Sequence, residues 1–195
     1  SMLNNAVIIG LIIIWVYVLS VLKRAKTDAF YFLAGSAGLF VILLLWSKPY
    51  GVWLFSTILT WSAGVVGHLT GLFDTFYASH VIQVVANHHT SILLVDYECS
   101  GIIETTAFWG LIAFYPVYDA QKRLMLALIG TLWFFLANTL RLSFVAIVIY
   151  YFGDGAFYVA HSIIGRLLFY SIAILLYYLV FTKGQLVNQM LKKQG

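Results

Sequence analysis

Apolar residues occur in long blocks divided by short polar ones, and the block lengths predict the architecture. A helix needs about 20 mostly apolar residues to cross a hydrocarbon core of ~30 Å. Residues 6–22, 29–46, 102–118, 124–151 and 161–181 meet or approach that length. A sixth run starting at Val52 is apolar but broken by Ser, Thr and Gly, and residues 52–73 read as a re-entrant or interfacial helix. Between it and the next block, 79–85 and 92–97 are short runs rich in β-branched residues, separated by the polar stretch 86–91. This alternation predicts a short hairpin loop over 76–99 that delivers Cys99 to the first turn of the helix beginning at 102. Gly101 permits the change of direction. The expected fold class is an all-α integral membrane protein, a single polytopic helical bundle of five to six transmembrane or re-entrant helices over residues 1–195.

Composition supports this reading. Of 195 residues, 63% are hydrophobic and only 9% charged, against about 25% charged in soluble domains. The net charge of +4 does not point to nucleic acid, because the cations cluster at the ends of apolar blocks. Lys23, Arg24 and Lys26 follow the first block, Lys122 and Arg123 join the third and fourth, and Lys183, Lys192 and Lys193 form the tail. Residues 52–101 and 152–160 contain neither Lys nor Arg. The positive-inside rule then places the basic loops and the C-terminus in the cytoplasm, and the N-terminus and the Cys99 loop outside a multi-pass cell-membrane protein. That arrangement is consistent only if 52–73 makes no single full crossing. Ser1-Met2 resembles a tag scar, and the first block is expected to stay as an anchor rather than be cleaved as a signal peptide.

Three polar residues fall at one expected depth. Arg141 lies 17 residues after Leu124, a rise of ~26 Å from the cytoplasmic end. Cys99 precedes the helix descending from the outer face, and His161 heads the last helix. Arg141 has ten further residues of apolar helix after it, so it is no simple terminal anchor, and a membrane-embedded Arg costs ~2.5 kcal/mol or more at the bilayer centre. A helix N-terminus and nearby cations favour a thiolate. Cys99 is therefore the candidate nucleophile toward a peptide carbonyl, His161 the proton donor to the leaving amine, and Arg141 the oxyanion stabiliser. Asn138 lies on the same helical face as Arg141 and could orient it or donate to substrate. Each residue also has a plainer reading: the cysteine as a small buried hydrophobe, the arginine as a snorkelling anchor, the histidine as a carbonyl partner.

Glu104 and Arg166 each follow a candidate residue by five positions, and a structural ion pair between two helices is the expectation. Asp96 and Glu98 read as solvated loop acids, although Glu98 could position His161 or accept a basic substrate group. His68, His80, His88 and His89 lack the spacing of a metal site. No nucleotide-binding pattern follows a strand, and no cofactor is expected.

With Cys99-Ser100-Gly101, Asn138-x-x-Arg141 and a later His161 in this order, the chain resembles the exosortase and archaeosortase family of membrane cysteine transpeptidases. The wording of residues 96–104 is most similar to the G-type exosortases of Gram-positive bacteria. The resemblance implies a sortase-like reaction outside the membrane. A secreted, transmembrane-anchored protein is cut at a C-terminal sorting signal through a thioester on Cys99, with water, a lipid amine or a glycan as acceptor. It implies Cys99 as nucleophile, Arg141 as oxyanion or carboxyl partner, and His161 as acid/base. Two other functions fit the residues alone: a membrane acyltransferase using a lipid thioester, and a non-enzymatic transporter or assembly protein with a polar path through Arg141, Glu104 and Arg166.

Overall fold

The computed structural model describes residues 2–48 and 50–194, so Ser1 of the expected tag scar lies outside the described residues. The helices are α1 (Met2–Arg24), α2 (Asp28–Ser47), α3 (Tyr50–Thr70), α4 (Ile102–Phe114), α5 (Ala120–Phe152), α6 (Gly165–Tyr177) and α7 (Lys183–Gln194). A π-helical turn, Val159–Ile164, leads into α6, and a second, Tyr178–Thr182, joins α6 to α7. Among the described residues, five helical runs are long and apolar enough to cross a membrane: α1, α2, α3, α5 and Asp154–Gln194. The chain is an all-α polytopic membrane protein.

Two boundaries differ from the hydropathy blocks, each for a local reason. α4 spans 13 residues rather than the 17 of block 102–118, because Pro116 holds Tyr115 in the extended region (φ −69°, ψ 121°) and stops the helix. α5 then starts at Ala120, where the Asp119 carboxylate caps it by accepting from the Lys122 N–H at 2.8 Å. The Arg123 guanidinium closes the connection on the Tyr115 carbonyl at 2.9 Å. The last block extends in both directions, because the helix continues through the π-helical turns to Gln194.

The loop before Cys99 holds more order than a hairpin. β1 (Asp74–Phe76), β2 (Val81–Ala86) and β3 (His89–Leu94) form an antiparallel sheet in that order. Asn87 and His88 both take positive φ, 48° and 69°, the backbone of a two-residue turn whose twist suits the flanking strands. The added strand, β1, is only three residues long, too short to leave an alternating signature.

α5 is the axis of the fold. Its lower half packs Phe134 and Ala137 against Phe108 and Ile112 of α4 and Phe169 and Ala173 of α6. Its upper half packs Leu142, Val145 and Ile149 against Leu59 and Ala63 of α3 and the inner face of the sheet, Ile82, Val84 and Leu93. α3 has both ends on the Cys99 side of the bundle. The Lys48 ammonium just before it lies 4.1 Å from the centre of the Tyr97 ring, and its far end meets β1 where Gly64 faces Thr75. Ser62 on its length bonds Thr139 of α5 at 2.8 Å. α1 is peripheral, touching α2 through the Trp15 indole N–H to the Ala34 carbonyl at 2.9 Å and otherwise showing apolar side chains outward.

The closest helix pair is α2 with α4, where a Cβ on Gly110 would stand 2.7 Å from the Ser36 carbonyl oxygen and 3.3 Å from the Phe40 nitrogen. Both neighbours are backbone and cannot swing away. Gly110→Val is expected to destabilise the bundle by about 2 kcal/mol, read as a lower thermal midpoint in detergent, while Gly10→Val, with nothing within 4 Å, leaves the midpoint in place. Equal midpoints in the two variants would contradict this packing.

Candidate active site

A tight turn carries the cysteine. The Cys99 N–H donates to Asp96, reaching the carbonyl and Oδ1 each at 3.2 Å. Ser100 Oγ donates to the Tyr97 carbonyl at 2.8 Å and accepts from the Ile102 N–H at 3.3 Å. Gly101 then takes φ 81°, ψ 5° and turns the chain into α4. A side chain there would be strained by that φ and would also collide with Asn138 Nδ2, which packs against the glycine.

The three residues aligned by depth are also aligned laterally. Cys99 Sγ lies 3.6 Å from His161 Nε2. The His161 ring stacks on Phe157, with centroids 5.1 Å apart and planes at 13°, and sits in the π-helical turn. Such turns occur often at functional sites because the extra residue re-aims a side chain. Arg141, 8% exposed, donates from Nη2 to the Cys99 carbonyl at 3.4 Å and lies 4.9 Å from the centre of the Phe169 ring. Its Nε is buried with no hydrogen-bond partner. Gly165 is required by the π-helical turn, where a Cβ would stand 2.6 Å from the Ala160 carbonyl oxygen, while its 3.5 Å to Arg141 Cγ is ordinary contact.

Other expected positions divide. Asn138, Ser100 and Gly101 belong to the cluster. Glu98 is exposed beside it, at a cavity of about 240 Å³ that Asp96, Cys99 and His161 also line. Glu104 and Arg166 do not form the expected ion pair: Glu104 Oε2 is buried without a partner and Arg166 is exposed. Five positions apart on a helix is a turn and a half, so each points away from the face its neighbour presents to the site. Asp96 does more than expected, since it holds the cysteine turn. Among the described residues no three metal-ligating side chains converge, and His80 instead bonds Thr57 at 2.8 Å. Phe157, Gly165 and Phe169 escaped the sequence reading, yet with His161 they recur every four residues, one stripe along one helical run.

Burial pushes the Cys99 thiol up to about 11, with Arg141 pulling it down and the Asp96 and Glu98 carboxylates pushing it further up. Burial thus opposes the expected thiolate and outweighs the pull of Arg141. His161 Nε2, 3.6 Å from the sulfur, is within reach of the thiol proton.

The family model described as transmembrane exosortase (Exosortase_EpsH) matches residues 2–178. The chain belongs to that family, a family of cysteine transpeptidases. No curated protein and no solved structure matches the chain.

The raised thiol gives a signed pH dependence. Alkylation of Cys99 in proteoliposomes by a membrane-impermeant maleimide is expected to climb about tenfold per unit between pH 7 and 10. Arg141→Gln, which removes the cation that lowers the thiol, slows it at every pH in that range. Asp96→Asn, which removes an anion that raises it, speeds it. A rate already level below pH 8 would mean that the sulfur rests as thiolate.

Proposed function

We propose that this exosortase is a membrane-embedded cysteine peptidase and transpeptidase that cuts the C-terminal sorting signal of a transmembrane-anchored protein at the outer membrane face. The observation that carries the reading is the 3.6 Å approach of Cys99 Sγ to His161 Nε2 beside a buried Arg141. The absence of Lys and Arg from 52–101 supports the outward orientation, as does an α3 that begins and ends on the Cys99 side.

The chemistry follows from the placement. Cys99 Sγ bonds to the scissile carbonyl carbon as its proton passes to His161 Nε2, and the carbonyl π pair moves onto oxygen. Arg141, still holding donors without partners, stabilises that oxyanion at no cost in proton transfer, since guanidinium stays charged. Collapse re-forms the carbonyl and breaks the C–N bond, and the leaving amine takes the proton from His161. The thioester is then attacked by an acceptor amine or hydroxyl, or by water; His161 removes the acceptor's proton and returns it to sulfur as the S–C bond breaks. Stacking on Phe157 restricts the imidazole to the plane this relay needs. A polar transport path is the weaker reading, because Glu104 and Arg166 do not meet.

Mass spectrometry of C-terminal peptides in the producing cells tests the proposal. Wild-type protein is expected to remove the C-terminal helix from at least one surface protein. Cys99→Ala, His161→Ala and Arg141→Gln should each reduce this by about a hundredfold or more. A hydroxylamine-sensitive adduct on Cys99 should carry peptide mass. An adduct of fatty-acyl mass would favour the lipid acyltransferase, and unchanged processing in Cys99→Ala would defeat thiol catalysis altogether.

A further inference from the structure

A second cavity, of about 260 Å³, borders the cysteine turn at Ser100 and Gly101 and is lined by neither Cys99 nor His161. Ser100 and Gly101 form one wall, and Phe55, Ile58, Leu132 and Asn138 are among the others. It extends along α5 from Asn138 to Thr131. Asn138 is one turn from Arg141 toward the Ala120 end and Thr131 about two turns more, so the cavity runs ~15 Å from the level of Arg141 down toward the Ala120 end. Ile58 and Leu132 at its edge are exposed, and both are large apolar side chains suited to lipid.

The lining is apolar except for one unmet demand. Thr105 Oγ1 donates to the Gly101 carbonyl at 2.7 Å, and Thr131 Oγ1 donates to the Ala127 carbonyl at 2.7 Å while accepting from the Trp109 indole at 2.9 Å. Asn138, 1% exposed, keeps its Oδ1 buried with no partner. An oxygen of this kind wants a donor, and burying it without one is unfavourable. The first turn of any helix offers N–H groups with no intrahelical acceptor, and in hydrocarbon such groups must be satisfied by protein.

We propose that this cavity receives the N-terminal turn of the apolar helix that follows the scissile bond, and that Asn138 Oδ1 accepts a backbone N–H from that turn. The inference rests on the reading of Cys99 as nucleophile and adds where the leaving segment lies. Asn138 is then a positioning residue: it holds the helix start one turn below the thiol, which sets the bond before that helix against Cys99. A lipid chain would fill the same space but would leave Asn138 Oδ1 unsatisfied.

The test uses the full chain in proteoliposomes and three alkylating probes, in each of which the Cys99 sulfur bonds to the bromomethylene carbon as bromide leaves and the thiol proton passes to the buffer. One is an N-bromoacetyl Leu/Ala helix of about 20 residues with a Lys-Lys tail. The second is the same peptide N-methylated at its first residue, and the third is hexadecyl bromoacetamide. Every rate is divided by that protein's rate with bromoacetamide. The unmethylated helix is expected to react about tenfold faster than the methylated one in wild type. Asn138→Leu should erase that difference, an effect that a merely structural asparagine would not produce. Leu132→Trp, which fills the mouth, should slow both helices, while Ile174→Trp, on an exposed face of α6, should slow neither. Indifference of wild type to N-methylation, or of the helix probes to Leu132→Trp, overturns the inference and leaves the nucleophile intact. A hexadecyl probe faster than the helix gives the cavity to lipid and also overturns it. A Cys99 that even bromoacetamide does not alkylate up to pH 10 defeats the nucleophile reading itself, and the inference falls with it.

Discussion

A guanidinium inside an apolar helix is the constraint around which the bundle is arranged. Arg141 cannot lose its charge, and its place between the two hydrophobic clusters of α5 denies it water. What it receives instead is one carbonyl, from Cys99, and one aromatic face, from Phe169. A charge-assisted hydrogen bond is worth about 1.5–3 kcal/mol and a desolvated cation–π contact about 2 kcal/mol, comparable with the ~2.5–3.5 kcal/mol of placing Arg in a membrane segment. The residue is thus tolerable but not saturated. Its remaining donors are available to whatever carbonyl enters the site.

The same contact ties the parts together. For the Cys99 carbonyl to reach Arg141, the chain must turn at Gly101 and pass close to Asn138, which requires glycine on both conformational and steric grounds. For the other side of Arg141 to be covered, the last helix must approach at Gly165, and the π-helical turn before it brings His161 toward the sulfur. Above the cluster, the sheet closes the upper core on Leu142 and Val145. Asp96 at the end of that sheet anchors the cysteine turn while its charge opposes ionisation of the thiol. Structure and electrostatics therefore pull in opposite directions at one residue, and the result is a thiol raised by burial and carboxylates with an imidazole nitrogen 3.6 Å from its sulfur. Such a sulfur resists adventitious oxidation and alkylation until a substrate is in place.

Much of this was legible in the order of residues. Block length located the helices, and the depth of Arg141 counted from Leu124 brought it level with Cys99 and His161, because rise per residue is a constant of the α-helix. The limits are equally physical. Counting gives depth but not azimuth, so it could not exclude a Glu104–Arg166 pair that the helices turn away from each other. A three-residue strand has no period to detect. Proximity of a cation to a cysteine does not weigh its pull against burial, and burial is what raises the thiol. The stripe Phe157, His161, Gly165, Phe169 was present as a four-residue repeat, but in a block apolar on every face such a repeat does not stand out.

The short α4 settles how the site relates to its surroundings. Thirteen residues rise ~20 Å, about 10 Å less than the hydrocarbon core. The foot of α4 is tied to the basic end of α5 through Arg123 and the Tyr115 carbonyl, and its head meets α5 at Asn138, 18 residues and ~27 Å above Ala120. The cysteine turn therefore stands level with Asn138, and the sheet with its Asp96 and Glu98 cavity lies beside it. A bond just ahead of a membrane helix reaches that depth without leaving the bilayer, whereas a bond in a freely soluble chain would have to desolvate its peptide groups to get there. Under the proposed function, a preference for membrane-anchored substrates follows from a site at the head of a helix that a proline ends early.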